Sequence, residues 1–169
     1  RKSSVRQKFG IQIPENEAEA YALDKKNGNT YWTDAIQKEI DSIQEKKTLY
    51  IPTTTGERSQ IRETTNAGYQ FAPMWIVFDV KPISLKAKAR LVIGGHVVNT
   101  DDVNTFSSMM SSDGARVLLA LADHLGYGVA VGDISVAYLN ACTEEKIWTK
   151  VTEAFVRTGH AKKIGETAM

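Results

Sequence analysis

The chain has 169 residues, of which 42% are hydrophobic and 24% are charged, and its formal net charge is +1. This length suits one domain or one domain and a part, with enough apolar residues for a core. The near-neutral charge argues neither for nor against nucleic acid, so any basic surface must be local. The single cysteine, Cys142, excludes an internal disulfide framework, and the histidines offer no zinc-type spacing.

Neither a membrane span nor a signal peptide is evident in the sequence. No apolar run approaches the length that a bilayer requires, and the opening residues lack a signal-peptide pattern. The chain begins with Arg1 and not with Met. We therefore expect it to be a fragment of a longer protein.

The first part of the chain predicts two helices. Residues 1–20 are polar and charged, and we expect an extended or loosely held lead-in with a short helix over 18–23. An amphipathic helix begins near Thr30, because apolar residues recur at helical spacing from there on. These residues are Trp32, Ile36, Ile40 and Ile43. Residues 49–51 predict a short strand, and residues 53–68 predict a long loop rich in turn-forming residues.

Two alternating runs around a Pro-containing turn predict a β-hairpin over 74–80 and 85–92. In the first run Ile76, Phe78 and Val80 share one face, opposite Trp75, Val77 and Asp79. In the second run Leu85, Ala87, Ala89 and Leu91 share one face, opposite Lys86, Lys88 and Arg90. The hairpin is therefore predicted to bury an apolar face and to present a row of cations on the other.

This row of cations has two interpretations. Cations about 7 Å apart along a strand match neighbouring phosphate oxygens, so the row can clamp phosphates. Lysines on an exposed edge strand also prevent aggregation, in which case the row is only a solvated edge. Gly94-Gly95-His96 follows directly, and paired glycines allow the backbone to turn or to approach a partner closely. They do not form a phosphate-binding loop, which needs Lys and Ser or Thr downstream.

The second half predicts a helix and a strand from their apolar patterns. Apolar residues at helical spacing predict a well-buried helix over 114–125, capped by Ser112 or Asp113. Gly126 is expected to end this helix. Residues 144–151 predict a further strand.

Between these two elements, the apolar run 129–131 ends at Gly132-Asp133 and predicts a buried strand that delivers a carboxylate to its end. An unpaired buried carboxylate is costly, so Asp133 there requires a positive partner. A divalent metal is the commonest functional partner, because Asp oxygens are hard ligands that suit Mg²⁺. The structural alternative is that Asp133 caps the turn after it.

The order of these features is more specific than any one of them. It comprises the helix with Trp32, the sequences Trp75-Ile76-Val77-Phe78 and Lys88-Ala89-Arg90-Leu91-Val92, the helix over 118–125, and Gly-Asp-Ile-Ser-Val-Ala-Tyr-Leu-Asn over 132–140. In this order they resemble the reverse transcriptase of copia-type LTR retrotransposons, especially elements of diatoms and other algae or protists. The resemblance covers roughly residues 21–151.

The resemblance implies an α+β fold: the fingers and partial palm of a reverse transcriptase, in which an antiparallel β-hairpin packs with helices. Residues 1–20 would be a polar lead-in and residues 21–151 the fingers with the first palm motif. Residues 152–169 would be a truncated tail.

The resemblance also implies roles for individual residues. Asp133 would be the first palm carboxylate and would bind the catalytic Mg²⁺, or Mn²⁺ as an alternative ion, assisted by the Ile134 carbonyl. Lys88 and Arg90 would meet the triphosphate. Tyr138 would lie under the sugar of the incoming nucleotide and exclude a 2′-hydroxyl. A structural alternative for Tyr138 is an aromatic ring packed under a helical turn.

The implied activity is RNA-directed DNA synthesis by two-metal nucleotidyl transfer. Its partners would be an RNA or DNA template–primer, deoxynucleoside triphosphates and the rest of the polyprotein, including integrase and RNase H. In this family reverse transcription takes place in cytoplasmic virus-like particles and in the nucleus. The resemblance therefore implies these locations and no membrane partner.

The family's second catalytic motif, a Tyr-x-Asp-Asp hairpin, is not found in the sequence. Asp101-Asp102 precedes Asp133, and Glu144-Glu145 follows it too soon. We therefore expect a chain that is cut off before this motif and that is inactive by itself.

Two other hypotheses remain open. In the first, the chain is a non-catalytic remnant whose basic hairpin face binds nucleic-acid backbone in a salt-sensitive, sequence-independent way, and Asp133 is only structural. In the second, Asp133 is the nucleophile of a phosphatase resembling haloacid dehalogenases. Such enzymes need a second Asp two residues later, where this chain has Ser135.

Overall fold

The computed structural model describes residues 6–52, 68–98, 108–133, 146–163 and 165–169. The chain divides into two compact units, which are treated separately below: Arg1–Asn99 with Ala141–Met169, and Thr100–Asn140. Within the described ranges the fold is a mixed α+β fold with four helices and small, mostly antiparallel sheets. None of the helices found there is long and apolar enough to cross a membrane.

The first unit opens with a small hairpin and a helix. Strands β1 (Gln7–Lys8) and β2 (Ile11–Gln12) pair antiparallel around a turn. Helix α1 (Glu17–Asn27) follows, capped at its start by Asn16 and ended by Gly28 in the left-handed conformation. Ile13 and Ala20 are buried. Residues 6–20 thus contain a small hairpin and the start of α1, and this helix is longer than the predicted 18–23.

Helix α2 (Tyr31–Glu45) confirms the predicted amphipathic helix. All residues of its apolar stripe are at most 4% exposed, namely Trp32, Ile36, Ile40 and Ile43. The predicted strand at 49–51 is wrong, because these residues form no strand. Tyr50 nevertheless exchanges two backbone hydrogen bonds with Met169, which ties this segment to the end of the chain.

Strands β4 (Met74–Val80) and β5 (Ala87–Ile93) form the predicted antiparallel hairpin; strand β3 (Gln70–Phe71) precedes them. Ile76, Phe78 and Val80 are buried as predicted. Their face packs toward α2, where Trp32 meets Phe78 edge to face with ring centroids 5.6 Å apart. Leu85 departs from the prediction, because it lies in the turn, with φ of 49° and 44% exposure.

A second small sheet includes the end of the chain. Strand β6 (Ile147–Lys150) confirms the strand predicted over 144–151 and lies between β3, which is parallel to it, and β7 (Thr167–Ala168), which is antiparallel. Helix α4 (Glu153–Arg157) lies between β6 and β7 in the chain. Phe155 and Ala168 are fully buried, so this last segment contributes to the core of the first unit.

In the second unit the helix is present but its predicted burial is wrong. Helix α3 (Ser112–Leu125) is capped by Ser111, whose hydroxyl accepts the backbone N–H of Gly114 at 3.0 Å, and it ends at Gly126 as predicted. Its large apolar side chains are half exposed or more, namely Val117, Leu118, Leu119, Leu121 and Leu125. The apolar stripe identifies one side of a helix, but it does not supply a surface that covers it.

The predicted buried strand before Asp133 is also wrong. Residues 129–133 form no strand, and Val131 is 96% exposed. A strand requires a hydrogen-bonded neighbour, and apolar composition alone does not provide one. Asp133 itself is exposed, so the cost of burying a carboxylate does not apply to it.

Candidate functional site

The exposed side of the β4–β5 hairpin places two predicted site residues next to each other. Lys88 and Arg90 alternate with Ala89, which is 6% exposed and faces the core. Arg90 is exposed and Lys88 is half-buried. Since side chains two residues apart on a strand share a face, both cations lie on the side of the hairpin away from α2.

The strand register sets the neighbours of these two cations. Lys88 lies opposite Asp79, and Arg90 lies opposite Val77. Asp79 does not pair with Lys88: its Oδ1 atom lies 2.6 Å from Nζ of Lys8, which comes from β1. Within the described ranges neither Lys88 nor Arg90 forms an ion pair. We call the surface formed by Lys8, Asp79, Lys88 and Arg90 the basic face.

The electrostatics of Asp79 agree with its neighbours. The hydrogen bond from Lys8 is the main reason that the pKa of Asp79 lies below its ordinary value, and the backbone N–H of Val80 also donates to it, at 2.8 Å. The charges of Lys8 and Arg90 lower this pKa further. Asp79 is therefore ionised across the neutral range, and cations outnumber it on the basic face.

Helix α2 holds β5 in place from the opposite side. The carboxylate of Glu39 accepts the backbone N–H of Leu91 at 3.0 Å, which satisfies a donor that points away from β4. At the start of α2, the hydroxyl of Tyr31 donates to the carbonyl of Leu85 in the hairpin turn. Helix α2, whose apolar stripe is buried, thus contacts both the backbone of β5 and the hairpin turn and supports the hairpin that carries the basic face.

The backbone packs closely against side chains at Gly94, at the far end of the hairpin. A Cβ atom added at Gly94 would lie 3.1 Å from side-chain atoms of Pro73, Trp75 and His96, tighter than ordinary van der Waals contact. The backbone N–H of Gly94 donates to the carbonyl of Pro73 at 2.8 Å. The expected close approach of the backbone is confirmed at Gly94. At Gly95 a Cβ would meet nothing within 4 Å.

The described positions do not relate the other predicted site residues to the basic face. Asp133 belongs to the second unit, and Ile134 and Tyr138 lie outside the described residues. Among the residues with described positions, no group of three or more His, Cys, Asp or Glu side chains is placed to hold a metal ion. The part of the chain that the structure describes therefore shows no assembled magnesium site, and within it Asp133 is the one predicted metal ligand whose side chain is placed.

A cleft of about 710 Å³ lies on a different part of the first unit, where α1 and α2 meet Arg157. The guanidinium of Arg157 stacks 4.1 Å from the ring centroid of Tyr21 and pairs with Glu153 at 2.6 Å. Asp24, also in the lining, is buried and bonded to the start of α2. Arg157 and Asp24, two of the charged residues of this cleft, are thus already engaged within the protein.

Sequence reasoning did not find Lys8 as a member of the basic face. Its partner Asp79 is 71 residues away, and no local pattern connects the two. A weak signal exists in Gly10, because glycine readily adopts the positive φ that it has in this turn. That turn forms the β1–β2 hairpin and sets Lys8 on a strand.

Comparison of this chain with models of protein families, with curated proteins and with solved structures gives no match. A function must therefore be inferred from the sequence resemblance described above and from the geometry of the hairpin. Of the predicted site residues, Lys88 and Arg90 are the two that share one described surface.

Proposed function

We propose that this chain is part of an RNA-directed DNA polymerase of the copia type, and that its basic face binds the phosphates of a deoxynucleoside triphosphate or a template–primer. The observation that supports this proposal most is the pair Lys88 and Arg90, side by side on an exposed hairpin face with neither cation in an ion pair among the described residues. The order of the motifs in the sequence supports the proposed membership of the copia-type family.

The two side chains suit phosphate in different ways. The planar guanidinium of Arg90 can donate two parallel hydrogen bonds to phosphate oxygens, and the ammonium of Lys88 acts as a compact charge. Cations held on a rigid support need little reorganisation when charge develops on a transferring phosphoryl group. The contacts of α2 with Leu91 and Leu85 provide such a support.

In this proposal Asp133 is one of several metal ligands. Mg²⁺, when bound, activates the primer hydroxyl and stabilises the leaving pyrophosphate. In the family the further carboxylates come from the Tyr-x-Asp-Asp motif, which this sequence does not contain. The chain by itself is therefore not expected to extend a primer. Ile134 and Tyr138 keep their proposed roles at the second metal and under the sugar.

A second candidate function is a remnant that binds nucleic-acid backbone without catalysis. It is favoured by the exposed position of Asp133 and by the lack of an assembled group of metal ligands among the described residues. Such a protein would use only the basic face. Its binding would be independent of sequence and would weaken with salt.

Titration with Mg²⁺ separates the two candidates. Binding of a fluorescently labelled deoxynucleoside triphosphate is measured in the presence of an RNA–DNA template–primer, for the wild type and for Asp133→Asn. The polymerase proposal predicts that Mg²⁺ strengthens nucleotide binding by the wild type and that Asp133→Asn loses this gain. Binding that is indifferent both to Mg²⁺ and to Asp133→Asn contradicts the proposed role of Asp133 as a metal ligand in this chain and supports the remnant.

The coding DNA beyond Met169 gives an independent check. An in-frame continuation to a Tyr-x-Asp-Asp hairpin agrees with a polymerase. Stop codons directly after Met169 agree with the remnant.

A further inference from the structure

Asp79 is a potential competitor of phosphate on the basic face. It lies directly opposite Lys88 across the β4–β5 ladder. Side chains of such pairs have Cβ atoms only about 5 Å apart, so a carboxylate and an ammonium there can form an ion pair. If they did, Lys88 would be neutralised by its own strand partner and less available to an anionic ligand.

In the structure the competitor is engaged elsewhere. Oδ1 of Asp79 lies 2.6 Å from Nζ of Lys8 and also accepts the backbone N–H of Val80. Lys8 is delivered by β1, whose hairpin is closed by a hydrogen bond from the Ile13 backbone N–H to the Arg6 carbonyl at 2.8 Å. Lys8 therefore reaches Asp79 from a separate strand and pairs with Oδ1 of the residue that lies opposite Lys88.

We propose that Lys8 is a positioning residue for the basic face: it holds Asp79 in an ion pair and so leaves Lys88 and Arg90 available for the phosphates of a ligand. This inference rests on the proposed function, since it assumes that the basic face binds phosphate. It gives Lys8 and Asp79 defined parts in that face, as the residues that leave the other two cations available. Lys8 acts through Asp79 and need not touch the ligand.

The test is a double-mutant cycle on the full chain. Lys8→Ala, Asp79→Asn and the double variant Lys8→Ala/Asp79→Asn are compared with the wild type for binding of a fluorescein-labelled RNA–DNA template–primer at low salt. Lys8→Ala frees Asp79 to pair with Lys88, so affinity falls, by roughly threefold or more if one phosphate contact is lost. Asp79→Asn removes the competitor, so affinity is maintained or increases.

The double variant decides between the possible roles of Lys8. With no carboxylate at position 79, Lys8 is no longer needed, so the double variant regains the affinity of Asp79→Asn. A double variant that binds as weakly as Lys8→Ala overturns the inference, because Lys8 would then contact the ligand itself. A Lys8→Ala chain with a lower midpoint of thermal unfolding but unchanged affinity also overturns it, because the ion pair would be only structural.

Lys88→Ala separates this inference from the proposed function. A loss of affinity in Lys88→Ala together with no loss in Lys8→Ala contradicts the role of Lys8 alone. Unchanged affinity in Lys88→Ala both for the template–primer and for a fluorescently labelled deoxynucleoside triphosphate contradicts the proposed function of the basic face.

Discussion

Asp24 of α1 accepts the backbone N–H of Trp32 at 3.0 Å, so a carboxylate from one helix caps the beginning of the next. It also accepts the backbone N–H of Thr33 at 2.7 Å. Thr30, at the N-cap position of α2, makes no side-chain cap bond of its own. Asp24 therefore satisfies donors that the first turn of α2 would otherwise leave unpaired.

Glu17 of α1 likewise caps the beginning of a second helix. Its carboxylate accepts the backbone N–H of Ala154 at 2.9 Å, at the start of α4, where Thr152 makes no side-chain cap bond. Glu17 and Asp24 are seven residues apart, about two helical turns, so they lie on the same side of α1. One face of α1 thus fixes the beginnings of both α2, which supports the hairpin, and α4.

Removal of the Asp24 carboxylate is expected to destabilise the first unit. Asp24→Ala leaves buried N–H groups without an acceptor, so we predict a loss of about 2–3 kcal/mol in the free energy of unfolding. Urea denaturation measures this loss. Asp34→Ala, the same change at an exposed position in the first turn of α2, is the matched control and is expected to cost less than about 1 kcal/mol. Equal losses in the two variants would show that Asp24 is not a cap.

Glu17 predicts a pH dependence of stability in the acidic range. Burial is the main cause that raises the pKa of Glu17 above its ordinary value of 4.5. A raised pKa contributes stability that is fully present below pH 4.5 and is lost as the pH rises through the folded-state pKa. Glu17→Gln keeps an acceptor for Ala154 but cannot ionise, so it gains stability relative to the wild type as the pH rises through this range.

Urea titrations at a series of pH values measure this difference between Glu17→Gln and the wild type. Glu15→Gln, an exposed neighbour, is the control. A constant difference between Glu17→Gln and the wild type across the acidic range would contradict the burial of this carboxylate.

The contact between α2 and the hairpin depends on Phe78. Its side chain is 2% exposed and meets Trp32 edge to face. Phe78→Ala is expected to lower the free energy of unfolding by about 3–5 kcal/mol, because it removes apolar contacts and leaves a cavity. Val77→Ala, one residue away on the exposed face, is expected to cost less than about 1 kcal/mol. Similar losses of stability in both variants in urea denaturation would contradict the claim that Phe78 lies on the buried side of β4 and Val77 on the exposed side.

Tyr21 predicts a second pH dependence, in the alkaline range. Burial, followed by the negative charge of Glu17, raises the pKa of Tyr21 from 10.0 to about 12. The contribution of this phenol to stability is present below pH 10.0 and is lost as the pH rises toward about 12. The ultraviolet titration of the wild type minus that of Tyr21→Phe should therefore show a phenol that ionises near pH 12.

Tyr127→Phe is the matched control for this titration, because Tyr127 is 70% exposed. A difference curve for Tyr21 centred near the ordinary value for tyrosine would contradict its burial against α4.

The elements predicted correctly are those whose pattern is complete within a short stretch of sequence. The apolar stripe of α2 and the alternation of β4 and β5 are local, and both elements have a partner surface in the first unit. The pattern of residues 129–131 is also apolar, but a strand depends on a neighbour that the stretch itself does not encode. The predicted burial of α3 fails for the same reason. Its apolar stripe does not encode a surface that covers it, and the stripe is half exposed.

The basic face also combines residues that a local pattern predicts with residues that no local pattern predicts. The alternation of Lys88 and Arg90 with alanine predicted which side of the hairpin they occupy, and the structure confirms this side. The pairing of Lys8 with Asp79 spans 71 residues and depends on how two hairpins meet, so no periodicity could reveal it. The caps from Glu17 and Asp24 were missed for the same reason.

The most direct test of phosphate binding by Lys88 and Arg90 is the salt dependence of template–primer binding by Lys88→Gln/Arg90→Gln. If these cations bind phosphates, the variant binds more weakly at low salt than the wild type, and the slope of log affinity against log salt decreases in magnitude by about 1–2. Lys25→Gln/Lys26→Gln removes the same charge from an exposed part of α1 and is expected to leave that slope unchanged. An unchanged slope in Lys88→Gln/Arg90→Gln, or an equal decrease in both double variants, would contradict a basic face that binds the phosphates of a template–primer.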